Sequence, residues 1–201
     1  MKKLTMLIAV TVVAWSQTVV GQTNELSKNQ LGLASDSPTR LTVESQWVSV
    51  HDGLQLMLNV EHNLNDTFGL FAYGEAHEHW GQFYAGPTFT PADWIKFGLG
   101  VGLEEADKNP LRSGNWLWLG KNKDSLLAVG NYSANGHWWH VHSNHQFNGW
   151  LGVGLFARSN AGAGPRLQIT VPKKPISFWL SPTYNWDKKG AGFACGLGIR
   201  L

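Results

Sequence analysis

Residues 95–104 read IKFGLGVGLE, and this stretch decides the fold. Every second residue in it is large and apolar, and the residues between are glycine or carry a charge. A period of two places successive side chains on opposite faces of a β-strand, so one face is apolar and the other is small or polar. The same alternation returns in residues 54–61, 151–158, 166–171, 176–183 and 192–201. The sequence therefore predicts an all-β fold.

Turn-forming residues separate these runs at regular intervals, with Asn-Gly pairs at 135–136 and 148–149 and clusters of Gly, Pro, Asn and Asp elsewhere. Together with a break near His77 and a polar loop over residues 105–114, these turns make eleven connections between about twelve strands. Each strand has the 9 to 11 residues that a tilted strand needs to cross a bilayer. Ten strands is the alternative, should residues 67–91 or 115–133 hold fewer. We predict an antiparallel up-and-down transmembrane β-barrel with short turns over residues 39–201.

Composition favours a membrane barrel over a soluble one. Charged residues make up 15% of the chain and glycine 23 of its 201 residues, against about a quarter and about 7% in soluble domains. The polar strand face carries Gly, Ser, Thr, Gln and Asn with isolated charges, which suits a narrow interior better than bulk water. Four aromatic residues near strand ends fit a girdle at the membrane interface, although a core position is the alternative for each: Trp47, Trp139, Tyr184 and Trp186.

The N-terminus has the pattern of a secretory signal peptide, predicted over residues 1–21. Lys2 and Lys3 precede an apolar run over residues 4–15 that is too short for a transmembrane helix, and small-residue processing sites follow. Residues 22–38 are predicted to form a flexible polar segment, to which we assign no function. Without the two leader lysines, 14 basic residues balance 14 acidic ones. Nucleic acid is therefore not an expected partner, and the single cysteine, Cys195, excludes an intrachain disulfide.

The last strand resembles the C-terminal strand of bacterial outer-membrane β-barrels. Phe193, Cys195, Leu197, Ile199 and Leu201 point one way and small residues the other. Proteins of that class usually end on an aromatic residue that the barrel assembly machinery recognises, and Leu201 departs from this pattern. The resemblance covers residues 39–201 as a pattern. It implies an outer-membrane location, contact with outer-membrane lipid, and the assembly machinery as a partner.

Charged residues on the polar face suggest what the interior does. The candidate interior residues are Lys96, Arg158, Arg166, Arg200, Glu61, Glu75 and Glu104. The cations either line a pore or pair with the acids to fill a closed lumen. Small twelve-stranded channels for acidic oligosaccharides resemble this chain in size and in arginines lining the pore. Because glycines at 98–102, 152–154 and 192–198 leave space on the inward face, we predict a small pore for ions or small solutes, anionic ones included.

Two histidines in one strand form a candidate metal site. His140 and His142 share a strand face, about 7 Å apart, and could bind zinc or copper if Glu75 or Glu78 supplied a third ligand. Imidazoles also serve as ordinary hydrogen-bonding groups inside a barrel. No cofactor is predicted.

A lipid-modifying enzyme is an alternative to the pore. The segment His142-Ser143-Asn144 resembles the His-x-Ser-Asn motif of outer-membrane phospholipase A and lipid A deacylase barrels. It lacks the intervening residue, and strand alternation turns Ser143 away from His142. We therefore assign no catalytic residue. A structural or adhesive barrel with a plugged lumen is a further alternative.

Overall fold

The computed structural model describes residues 38–49, 53–78, 80–106 and 109–201. The predicted signal peptide and residues 22–37 of the predicted polar segment lie outside this part of the chain. The strands are β1 (Thr39–Val48), β2 (Gly53–Asn63), β3 (Phe68–His77), β4 (Trp80–Ala92), β5 (Ile95–Glu104), β6 (Leu111–Lys121), β7 (Asp124–Ser133), β8 (Gly136–Gln146), β9 (Leu151–Arg158), β10 (Gly162–Thr170), β11 (Ile176–Asn185) and β12 (Gly190–Arg200). The described residues include no helix that is long and apolar enough to cross a membrane.

The twelve strands form a closed barrel in which each strand pairs with its neighbours in the chain. β1 closes the ring by pairing antiparallel with β12, with Thr42 opposite Arg200. The closure continues to the last residue, since Leu41 and Leu201 exchange backbone N–H···O bonds of 2.9 and 2.8 Å. The predicted all-β, up-and-down barrel is confirmed with twelve strands rather than ten, because residues 67–91 hold β3 and all but the last residue of β4, and residues 115–133 hold most of β6 and all of β7.

The apolar face of each strand points outward. In β5, Leu99, Val101 and Leu103 are 59%, 69% and 56% exposed, while Gly98 and Glu104 on the other face are buried. A soluble barrel would show the opposite arrangement, with leucines inside and charges outside. The apolar exterior and the buried polar interior are those of a membrane barrel, in which closure also leaves no unpaired strand edge in the lipid.

The two ends of the barrel differ in which connections they carry. One end, here called the terminal end, holds the start of β1, the end of β12 and the connections 64–67, 93–94, 122–123, 147–150 and 171–175. The other, the loop end, holds the connections 49–52, 78–79, 105–110, 134–135, 159–161 and 186–189. The predicted polar loop over residues 105–114 is too long, because β6 already begins at Leu111 and its alternation runs through Arg112 and Gly114.

The aromatic residues singled out in the sequence lie at one end of the barrel. Trp47, Trp139, Tyr184 and Trp186 are all exposed, and all lie near the loop end. Their rings therefore lie on the outer surface and not in the interior, at the position of an interfacial girdle.

Candidate functional site

The inward faces of the twelve strands bring ten charged side chains into the interior of the barrel. All the interior residues proposed from the sequence lie on these faces, and three further charged residues join them. Cations are in excess, six against four acids: Arg40, Lys96, Arg112, Arg158, Arg166 and Arg200 against Glu44, Glu61, Glu75 and Glu104.

Arg158 crosses the interior near the loop end. It lies at the end of β9, which stands opposite β3 in the ring. Its guanidinium donates hydrogen bonds to Gln46 Oε1 at 2.9 Å and Gln55 Oε1 at 2.7 Å, and to Glu75 Oε1 at 3.2 Å. The same guanidinium lies 4.9 Å from the centre of the Trp138 ring. One side chain thus ties β9 to β1, β2 and β3 across the lumen, and we call these contacts the Arg158 bridge.

Glu75 connects the Arg158 bridge to the neighbouring wall. Its second carboxylate oxygen accepts hydrogen bonds from Gln82 Nε2 at 2.7 Å and from the Tyr73 hydroxyl at 3.1 Å. Arg158 and Glu75 are both almost fully buried. A buried carboxylate is tolerated when its oxygens are paired in this way, and it becomes costly when a partner is removed.

A second ion pair lies at the same end of the barrel. Arg112 on β6 donates to the Glu104 carboxylate on β5 and to Asn131 Oδ1 on β7, the latter at 2.7 Å. Asn135, in the connection after β7, donates from Nδ2 to the other Glu104 oxygen at 2.7 Å. The loop-end half of the interior is therefore filled by buried, hydrogen-bonded polar groups.

The terminal-end half of the interior is more open. Lys96 Nζ donates to Glu61 Oε2 at 2.6 Å and to Asn63 Oδ1 at 3.2 Å. The Lys96 and Glu61 side chains are 13% and 20% exposed, so solvent reaches this pair. Arg200 lies at the end of β12 and is exposed at the terminal rim.

Arg166 is held by aromatic stacking. Its guanidinium lies 4.9 Å from the centre of the Trp179 ring, and the indole N–H of that ring donates to Glu44 Oε1 at 2.7 Å. Trp179 also stacks on Phe156, with 5.3 Å between ring centres. The buried Nε of Arg166, like that of Arg158, has no hydrogen-bond partner among the described residues. The Arg158 guanidinium differs in also donating to three side chains of the opposite wall.

Three inward glycines make room for aromatic rings, so the open space expected at Gly98 and Gly196 is not present. A Cβ at Gly98 would lie 2.4 Å from Trp116 Nε1, and one at Gly196 would lie 2.5 Å from Trp179 Nε1. At Gly114 the nearest atom would be Tyr84 Cε2, at 2.4 Å. These glycines allow a ring from a neighbouring strand to lie flat against the wall, so the space that they leave is occupied.

The two candidate metal ligands meet in the interior, where the residues that the structure describes supply no third ligand. His140 Nε2 lies 3.3 Å from His142 Nδ1. Glu75 is engaged by Arg158 and Gln82, and Glu78 is exposed beyond the end of β3. Among the described residues, no three His, Cys, Asp or Glu side chains are grouped as a metal site would need. His140 and His142 stay candidate metal ligands.

The lipase-like segment is split between the two faces of β8. His142 faces the interior, whereas Ser143 faces outward and its Oγ accepts the backbone N–H of Leu155 at 3.0 Å. Alternation along the strand separates the two side chains, as the sequence pattern predicts.

Sequence reasoning missed several residues of the interior network. Arg112 falls in the predicted loop over residues 105–114, although its alternation with Gly114, Trp116 and Trp118 is the signal that puts it inside. Gln46 and Gln55 are buried partners of Arg158. Their polar positions in β1 and β2 indicate the inward face, but the sequence holds no signal that pairs them with β9.

Comparison with known proteins finds similarity in structure only. No protein-family model matches the chain, and no curated protein matches it in sequence. The KdgM porin superposes with a TM-score of 0.52 at 12% identity, covering 80% of this chain and 98% of that one. The NanC porin gives a TM-score of 0.51 at 13% identity, covering 80% and 100%. A KdgM porin in complex with disordered oligogalacturonate gives 0.52 at 11%, covering 80% and 98%. The chain has the fold of these porins, which agrees with the predicted outer-membrane class and location.

Proposed function

We propose that this protein is a small-solute channel of the bacterial outer membrane that favours anions. The observation that carries the proposal is the charge inside the barrel, where six cationic side chains face four acidic ones within a closed ring of strands. A low-dielectric wall around an aqueous path strengthens the effect of such an excess on ions that enter. The fold shared with two porins supports the same function.

The size of the barrel is compatible with a narrow path. Side chains just fill a barrel of about eight strands, and about sixteen strands leave a wide aqueous channel. Twelve strands lie between these limits. Solutes would enter past the solvent-accessible Lys96–Glu61 pair at the terminal end, and the Arg158 bridge would form the constriction at the loop end.

A structural barrel with a filled interior is the second candidate. It is favoured by the same Arg158 bridge, because a buried arginine that bonds to three strands of the opposite wall fills the lumen as well as narrowing it. The two candidates differ in one measurable property, the conductance of the folded protein.

The test is single-channel recording of the refolded protein in planar bilayers. We expect discrete conductance and, in a salt gradient, a reversal potential that favours anions. The double variant Arg166→Gln, Arg200→Gln keeps the Arg158 bridge and should move the reversal potential toward cations. Lys121→Gln removes the same type of charge from an exposed position outside the lumen and should leave the potential unchanged.

Ionic strength provides an internal check on the mechanism. The anion preference should shrink as salt rises from about 0.1 M, where the Debye length is near 10 Å, to about 1 M, where it is near 3 Å. A correctly folded protein that gives no conductance would overturn the channel and leave the structural barrel.

Two partners belong to the same proposal. The outward faces of the strands contact outer-membrane lipid, and the alternating strand β12 is the segment that the barrel assembly machinery would recognise. Replacing the exposed terminal Leu201 by Phe, the kind of residue usual at this position, should speed assembly in cells without changing conductance.

A further inference from the structure

One amide side chain stands in the apolar belt on the outside of the barrel. Asn115 is the fifth of the eleven residues of β6, on the face that points to lipid, and it is exposed. Its strand neighbours are Leu99 on β5 and Gly130 on β7. In the part of the chain that the structure describes, no side-chain hydrogen bond to this amide is present. An unsatisfied polar group in hydrocarbon costs several kcal/mol.

Two other polar side chains of this face, Ser113 and Ser143, are small hydroxyls that have local partners. Ser113 Oγ donates to the Tyr132 carbonyl at 3.3 Å, and Ser143 Oγ accepts the Leu155 N–H at 3.0 Å. The Asn115 amide carries two donor hydrogens and an acceptor oxygen. A partner outside the chain would satisfy these groups.

The surface around Asn115 is concave. A groove of about 320 Å³ runs across β5 to β8, with Asn115 on one side, the Trp139 ring on the other, and Ala128 and Gly130 between them. At Gly130 the nearest side-chain atom to an added Cβ would be Asn115 Oδ1, at 3.1 Å. Small residues at this place let a second barrel wall approach closely, and close approach favours association within a bilayer.

We propose that this groove is the contact surface between two copies of the chain in the membrane, with the two Asn115 amides hydrogen-bonded across a twofold axis. A carboxamide is self-complementary, since each can donate N–H to the oxygen of the other. A twofold axis brings the same patch of both copies together and closes the assembly at two. A lipid chain would fill the groove equally well but would leave both amides unpaired, so the second copy is the favoured occupant.

The first test is cross-linking at the predicted axis. In a Cys195→Ala background, which removes the native thiol, Leu117→Cys keeps Asn115 and lies two residues along β6 on the same face, so it should form disulfide-linked dimers in lipid vesicles. The matched control is Leu180→Cys, which is exposed and is the fifth residue of β11, five strands away in the ring. Cross-linking at position 117 that does not exceed that at position 180 would overturn the proposal.

The second test separates association from folding. Asn115→Leu should weaken dimerisation about three- to thirty-fold in a vesicle energy-transfer assay, the range for one or two hydrogen bonds inside a bilayer. In detergent diluted until the chain is monomeric, the same variant should resist urea as well as or better than the parent, because it removes a polar group from the apolar belt. Two results would overturn the role of Asn115. In the first, the parent stays monomeric at high protein-to-lipid ratio; in the second, Asn115→Leu dimerises as strongly as the parent.

Discussion

The two halves of the barrel interior use the same residue types in different ways. At the loop end, Arg158 and Glu75 are buried and each has several partners on other strands. At the terminal end, Lys96 and Glu61 form a shorter contact but remain partly exposed to solvent. We therefore expect burial and the number of partners, and not the distance between the paired atoms, to decide how much a lumen ion pair contributes to stability.

The two halves also suit the two tasks of a channel, which are to keep the barrel in one shape and to let ions pass. A buried network holds the barrel in one shape and narrows the path. A solvated pair costs little to disturb and leaves room for ions.

The largest effect is expected from removing the Arg158 bridge. Arg158→Ala leaves the Glu75 carboxylate buried with one cationic partner fewer, so we expect the free energy of unfolding to fall by about 3 to 5 kcal/mol. Lys96→Ala, the matched change at the terminal end, should cost about 1 kcal/mol or less because its pair is solvated. Urea titration of the protein in lipid vesicles measures both. Adding Glu75→Gln to Arg158→Ala should restore part of the loss, and equal losses for the two single variants would contradict the comparison.

Adding one methyl group to an inward glycine should destabilise the protein more in the loop-end half than in the terminal-end half, because the loop-end half is more tightly packed. In the loop-end half, Gly114→Ala places a Cβ 2.4 Å from the buried Tyr84 ring, and overpacking of this kind costs about 1 to 3 kcal/mol. In the terminal-end half, Gly198→Ala meets only the Ser177 hydroxyl at 3.1 Å, which can rotate away. We expect the second change to stay within about 0.5 kcal/mol. The same unfolding assay tests this, and a Gly198→Ala loss as large as that of Gly114→Ala would mean that both halves are equally packed.

Salt should affect the two ion pairs differently. Glu61→Gln should cost at most about 1 kcal/mol at 0.1 M salt and less at 1 M, because ions screen the accessible Lys96–Glu61 pair. Glu75→Gln should cost more, and by the same amount at both salt concentrations, since ions do not reach the buried pair. Unfolding titrations at the two salt concentrations provide the measurement. Salt dependence at Glu75 would show that water and ions enter the loop-end half.

The smallest effect is expected where the two halves meet, at the histidine pair. The described residues supply two imidazoles and no third ligand, so we expect less than one zinc ion per chain after dialysis against zinc. The double variant His140→Ala, His142→Ala should then hold as much zinc as the parent, with zinc measured in both by atomic emission. One zinc per chain in the parent that disappears in the variant would establish the metal site.

Local features of the sequence, namely the alternation along each strand and the turn residues between strands, are enough to predict most of the fold. The alternation in residues 95–104 determines which side chains share a face, because a strand has a period of two wherever it lies. Turn residues at 135–136 and elsewhere determine where strands end, and adjacent antiparallel strands joined by short turns must pair. The closed ring of twelve strands follows from these local features together with the need to leave no strand edge in lipid.

The tertiary structure decides which side chains meet in the interior of the barrel. The sequence places Arg158, Glu75 and Gln46 on inward faces, but only the curvature of the ring brings β9 opposite β1, β2 and β3. Alternation likewise puts Gly114 inside without revealing that the Tyr84 ring fills its place. The physical reason is that a period of two reports orientation within one strand, whereas the distance across a barrel depends on strand number, tilt and register, which are properties of the whole sheet.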